Sequence, residues 1–198
     1  MASRSSSSSL TAVPKLSAGA GANVPIPVRF TKTQLARAKA RGEELGRLNG
    51  SITKGKSNIF GMLGEEIVAS FLGAAFENRK PQLYQYDLIL PNGTTADVKT
   101  KKTTSKVPPR PHYTATVWNG NTSQQCDRYI FVRVCTDLDL GLAWICGQLP
   151  KEEFYTTSVF YMKGQHDAEN NYTVHADCHN IRIDQLKPVV APNPWAGE

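Results

Sequence analysis

No stretch of this 198-residue chain stays apolar over the roughly 18 to 20 residues that a helix needs to cross a bilayer, so no membrane-spanning helix is expected. The first 30 residues also lack the apolar segment of about 7 to 15 residues that a secretory signal carries. Cysteine is sparse: Cys126, Cys135, Cys146 and Cys178 are scattered, with no C-x-x-C pair. Without secretion, reduced thiols in the cytoplasm are the expectation, and the sequons at Asn49, Asn92, Asn121 and Asn171 carry no meaning. Acidic residues are missing from the start of the chain, the first being Glu43. There is no internal repeat.

What is present suits a folded domain with a real core: 40% hydrophobic and 20% charged residues. The net charge of +6 is unevenly spread. Residues 1–60 hold 10 Lys and Arg against 2 acidic residues, whereas residues 61–198 hold 13 against 15. A basic leader on a nearly neutral body points to a polyanionic partner, most simply nucleic acid, whose phosphates attract such arms without being read for sequence. The leader is also Ser-rich and Arg-containing, which fits an organellar transit peptide, so cytoplasm and organelle both stay open. The composition divides the chain into a disordered Ser/Ala/Gly/Pro-rich arm (1–30), a basic helix and linker (31–56), a folded domain (57–187) and a flexible Pro-rich tail (188–198).

Leu35, Ala38, Leu45 and Leu48 recur at helical spacing over 31–48, with Arg37, Lys39 and Arg41 on other faces. A second helix is expected over 58–72, capped by Ser57 or Asn58 and stopped by Gly73. Its apolar side carries Ile59, Met62, Leu63, Ile67, Val68, Phe71 and Leu72. Strands are expected at 84–90, 94–101, 112–118, 127–134 and 140–146, then a short helix at 150–156. A polar loop follows at 164–171, with one or two further strands in "YTVHADCHNIRI".

The first two strands enclose "PNG". Pro91 and Asn92 suit the central positions of a type I turn, and Gly93 suits the left-handed residue after it. This loop pairs Leu90 with Thr94 and therefore sets Asp87 opposite Asp97, with Lys99 two residues on and on the same face. Two facing carboxylates repel, and both ionise only beside a cation. Magnesium or manganese, hard and oxygen-seeking, is the natural occupant of such a site. A lysine on the same face can position water or stabilise charge on a phosphate.

Glu65 in "GMLGEE", Asp87 in "YDLIL" and Asp97-Val98-Lys99 in "ADVKTKK" together resemble the PD-(D/E)xK nuclease superfamily, closest to its small phage-encoded and Holliday-junction-resolvase-like branches. The resemblance covers roughly residues 57–150. It implies an α+β fold of the restriction-endonuclease-like kind, an αβββαβ core with a mixed central sheet and here extra C-terminal strands. The activity implied is Mg2+- or Mn2+-dependent hydrolysis of DNA phosphodiesters, structure-selective in some branches, and a homodimer is compatible with it. Asp87 and Asp97 match metal ligands, the Val98 carbonyl a third ligand, and Lys99 the catalytic lysine. Glu65 matches the helix glutamate, with Glu66 as the alternative. Gln124 or Gln125 matches a glutamine that some members place near the site. Tyr86 stands where the family often has proline, and only the eight residues from Asn119 to Cys126 remain for a crossover helix, which must be short or displaced.

Lys101, Lys102, Lys106 and Arg110 follow the motif directly and are candidates for phosphate contact. Tyr113, Trp118 and Tyr129 could stack on bases, although such residues on strands are more often core. His166, His175, Cys178 and His179 match no familiar zinc-finger spacing, and neighbouring Cys178 and His179 point to opposite strand faces. The alternative to an enzyme is a non-catalytic nucleic-acid-binding protein on the same scaffold.

Overall fold

Two neighbouring strands with runs of consecutive buried residues, covered on both faces, build the centre of the molecule. The computed structural model describes residues 23–44, 58–76, 86–121 and 124–191. Its strands are β1 (Ile26–Arg29), β2 (Ala75–Phe76), β3 (Leu88–Ile89), β4 (Thr95–Thr103), β5 (Thr114–Trp118), β6 (Arg128–Cys135), β7 (Leu142–Pro150), β8 (Val159–Tyr161), β9 (His166–Asp167), β10 (Tyr172–Thr173) and β11 (Cys178–Arg182). Its helices are α1 (Lys32–Glu44), α2 (Asn58–Leu72) and α3 (Lys151–Thr157).

The main sheet has six strands in the order β1-β7-β6-β4-β3-β2. It is mixed: β4 runs parallel to β6, while the other pairings are antiparallel. Ala96 and Val98 of β4, with Ile130, Val132 and Val134 of β6, pack with Leu63, Ile67, Val68 and Leu72 of α2 and with Ala38 of α1. On the opposite side of β6, Tyr129 and Phe131 join Trp144 and Cys146 of β7, Phe154 of α3 and a second sheet of order β5-β11-β8. The result is an α+β molecule in which one sheet is covered by helices on one face and by a smaller sheet on the other. All four cysteines are buried and free. Among the described residues no helix is long and apolar enough to cross a membrane.

α2 spans the expected 58–72, and the hairpin keeps the expected register: Leu88 pairs with Ala96, Ile89 with Thr95, and the Leu90 N–H donates to the Thr94 carbonyl at 2.8 Å. Gly93 has φ +79°, the left-handed position that the three-residue turn requires. α1 is described to Glu44; the expected turn over 45–48 lies outside the described residues, as do the Ser57 cap and residues 84–85 of the first strand.

Elsewhere the expectations need correction. Ile26–Arg29, assigned to the disordered arm, forms an edge strand on β7, with Pro27 opposite Trp144. An edge tolerates proline because the missing N–H would face away from the sheet. Residues 1–22 lie outside the described residues. The start of the expected flexible tail is also anchored, since Val189 is buried in the core and the Pro188 carbonyl accepts from Gln148 Nε2 at 3.0 Å. The strand expected at 112–118 does not extend the hairpin's sheet: β5 pairs with β11 instead. The third strand of the meander comes before the hairpin, as β2, and the polar loop at 164–171 carries β9 of a two-stranded hairpin with β10.

α2 lies very close to β4 at Gly64, where an added Cβ would stand 2.0 Å from Thr100 Oγ1 and 3.1 Å from its Cβ. At Gly61, one turn earlier, a Cβ would meet nothing within 4 Å. Gly64→Ala should therefore lower stability by about 1–3 kcal/mol through overpacking. Gly61→Ala should be neutral or stabilise by up to about 1 kcal/mol through helix propensity. Thermal melts of the two variants side by side check this, and equal melting temperatures would contradict the close approach.

Candidate active site

Asp87 stands immediately before β3 and Asp97 lies within β4, so the hairpin register sets them across from each other. Asp87 Oδ2 accepts the Val98 backbone N–H at 2.7 Å, tying one carboxylate to the strand that carries the other. Asp97 is 2% exposed. Lys99 Nζ approaches Asp97 Oδ1 to 2.6 Å as an ion pair, while Gln124 Nε2 donates to Asp97 Oδ2. Asp97 Oδ1 is buried, and the Lys99 ammonium is its partner.

Glu65 and Glu66 are both buried on α2, and α1 brings the cations that accompany them. Arg41 Nη2 lies 2.7 Å from Glu65 Oε2, and Arg37 Nε lies 2.8 Å from Glu66 Oε2. Arg41 Nη1 also approaches Glu66 Oε1 to 3.7 Å, and its guanidinium sits 4.1 Å from the centre of the Phe76 ring. The two glutamates are not equivalent. Glu65 feels the charge of Asp97 and acts in turn on Asp87, which places it with the hairpin carboxylates.

The electrostatics of the cluster are those of excess negative charge. Burial, and then the charges of Asp97 and Glu65, push the Asp87 carboxyl well above its ordinary range despite Lys99. Burial raises Glu65 from 4.5 to about 7 against the opposing pull of Arg41, with Asp97 and Glu66 adding to the rise. For Lys99, burial works downward, but Asp97 and Asp87 outweigh it and hold the ammonium above its ordinary value. The same environment reaches the neighbouring Cys126 thiol, raised to about 12 by burial and then by Asp97. That thiol is no nucleophile at neutral pH.

The structure thus brings Glu65, Asp87, Asp97, Lys99 and Gln124 together. Gln125, the alternative to Gln124, is exposed. The other cations lie outside this cluster. Lys101 donates through Nζ to the Thr114 carbonyl at 3.1 Å, Lys102 stands 5.4 Å from the Phe60 ring centre, and exposed Lys106 pairs with Asp137 at 3.5 Å. Arg110 is exposed, and its carbonyl accepts the Tyr113 N–H. Sequence reasoning missed Arg37 and Arg41 as partners of the helix glutamates, although their i, i+4 spacing marks one helix stripe. It also missed Lys151, whose Nζ donates to the Gln124 carbonyl and so helps hold that residue against Asp97.

The donor set is of the oxygen-rich kind that a hard divalent cation takes, with carboxylates in excess over cations. Among the described residues, no three His, Cys, Asp or Glu side chains are grouped closely enough to hold an ion as they stand. Arg41 engages Glu65, and Lys99 and Gln124 engage Asp97. No protein-family model matches this chain, and no curated protein matches it.

Glu65 offers a direct check of the charge balance. Its folded-state value lies above the unfolded one, so its contribution to stability is complete below about pH 4.5 and is lost as the pH rises through about 7. A separation of this size corresponds to roughly 3 kcal/mol. Urea denaturation in EDTA should show the unmodified protein losing stability between pH 5 and 8, with Glu65→Gln flattening that decline. Parallel profiles for the two proteins would refute the assignment.

Proposed function

We propose that this chain is a metal-dependent nuclease with a restriction-endonuclease-like core, hydrolysing phosphodiester bonds of DNA. The observation that carries the reading is the convergence of Glu65, Asp87 and Asp97 from a helix and two hairpin strands beside one lysine, with the Glu65 and Asp87 carboxyls held above their ordinary range. The order of elements supports it: helix α2, the meander β2-β3-β4, then β6 parallel to β4. The departure is the crossover from β4 to β6, which carries β5 where that core has a helix.

Asp87, Asp97, Glu65 and the Val98 carbonyl are the groups that would hold Mg2+ or Mn2+, which when bound supplies Lewis acidity toward the phosphate. The remaining chemistry belongs to the chain's own side chains. Lys99, kept protonated by Asp97 and Asp87, neutralises charge that develops on the phosphate oxygens as water attacks phosphorus and the bond to the leaving oxygen breaks. Gln124 and the Val98 N–H hold the two aspartates in fixed orientation, so the site is organised before substrate arrives. Arg41, largely buried against the Phe76 ring, holds Glu65 in place.

A second reading has its own support, because each carboxylate already has a protein partner. On that reading the scaffold binds nucleic acid without cutting it. Purified protein with labelled linear, circular and branched DNA, in Mg2+, Mn2+ or EDTA, separates the two. Metal-dependent cleavage should fall by at least about a hundredfold in Asp97→Ala and in Lys99→Ala while DNA binding partly survives. Glu65→Gln should reduce cleavage more than Glu66→Gln. Salt-sensitive binding with no cleavage in any metal would leave the binding protein as the answer.

A further inference from the structure

β4 contributes to two places. Lys99 belongs to the carboxylate cluster, whereas Thr100, Lys101 and Lys102 line a cleft of about 800 Å³ between α2 and the smaller sheet. A cleft of this volume is within the range of ligand sites. Its walls combine two features that the carboxylate cluster does not use.

The first feature is uncompensated positive charge. Arg133 Nη2 and Lys101 Nζ both donate to one acceptor, the Thr114 carbonyl, each at 3.1 Å. Neither has an ion-pair partner among the described residues, unlike Lys99, Arg41 and Arg182. Burial and then the charge of Arg133 push Lys101 down to about 8. Exposed Lys102 adds a third cation at the rim. Enclosed cations that share one neutral acceptor are poised for an anion.

The second feature is aromatic. Tyr113, Trp118, Tyr172 and His175 line the same cleft, and Phe60 lies beneath Lys102. The Trp118 ring lies against Gly120, where a Cβ would stand 2.3 Å from it, so the glycine lets the indole settle on the backbone. Tyr172 is 50% exposed and packs edge-on to His175 at 5.3 Å. Cations that meet phosphates beside rings that meet base faces are the two parts of a single-strand binding surface. A duplex keeps its base faces stacked inside and offers these rings nothing. An acidic polypeptide would use the cations and leave the rings idle.

We propose that this cleft binds an unpaired nucleic-acid strand, with phosphates on Lys101, Lys102 and Arg133 and bases on Trp118, Tyr172 and His175. The inference deepens the nuclease reading by naming its substrate class: DNA with a single-stranded segment, one strand of which passes from the cleft along β4 toward Lys99. Lys101 lies only about 7 Å along the strand from Lys99, two residues at the rise of an extended chain.

The test is fluorescence anisotropy of a labelled single-stranded oligonucleotide and of the same sequence as a duplex, using the full chain in EDTA so that nothing is cut. The single strand should bind at least about tenfold more tightly than the duplex. Tyr172→Ala should weaken single-strand binding about fivefold or more while Tyr172→Phe does not, in line with loss of one stacked base. Lys102→Ala should weaken it and shallow its salt dependence. Both positions are exposed, and thermal melts confirm that the variants fold. Comparison with the unmodified chain cancels any contribution of the basic N-terminal residues. Equal affinity for strand and duplex, unchanged binding in Tyr172→Ala and Lys102→Ala, or displacement of the strand by polyglutamate as readily as by unlabelled oligonucleotide would each overturn the proposal. Strand binding without cleavage in Mg2+ or Mn2+ would support this proposal and defeat the nuclease reading; cleavage without strand preference would do the reverse.

Discussion

Two aspartates held face to face inside protein cannot both ionise without a cation, and that constraint organises this molecule. Lys99 answers part of it from the same strand, at 2.6 Å from Asp97. Arg41 answers another part from α1, through Glu65. The remainder stays unanswered, and it is visible as the raised proton affinity of Asp87 and Glu65. Like charges brought together in an enclosed place are unfavourable unless something outside the chain joins them. The surrounding structure keeps them together despite that: the Val98 N–H on Asp87, Gln124 on Asp97, and Lys151 behind Gln124.

β4 can serve this purpose because a strand presents opposite faces at alternate residues. Ala96 and Val98 belong to the core beneath α2, which anchors the strand. Asp97, Lys99 and Lys101 alternate with them, and Lys101 reaches the β5 carbonyl of Thr114 on the other side. Gly64 lets α2 approach Thr100 without a Cβ between them, which brings the helix that carries Glu65 against the strand that carries Asp97. One strand is thereby part of the core, of the charged cluster and of the cationic cleft, and a shift in its register would move all three.

The hairpin was legible because its information is local. "PNG" determines a three-residue turn, the turn determines the register, and the register decides that Asp87 meets Asp97. α2 was legible for a similar reason, since seven apolar residues at helical spacing leave few alternatives. Glu65 was taken ahead of Glu66 as the match to the helix glutamate, and the fold buries both of them beside arginines of α1. Ile26–Arg29 was not legible, because four residues with two apolar side chains and a proline beside a Ser- and Ala-rich leader look like linker until β7 supplies the pairing partner. Val189 was misread for the same reason, as a Pro-rich context hid a residue that the core covers.

By itself, then, the amino-acid order determined the turns, the amphipathic helix, the alternation of β4 and hence which charged residues share a face, since these depend on contacts between near neighbours in the chain. Tertiary structure alone decided the rest. It set Arg37 and Arg41 onto Glu66 and Glu65, sent β5 to a second sheet with β11, and enclosed Lys101 with Arg133 across a cleft lined by Trp118 and Tyr172. Those outcomes join residues that lie far apart in the chain, as with the 60 positions that separate Trp118 from its partner Cys178, and no local preference specifies which distant surface will bury which face.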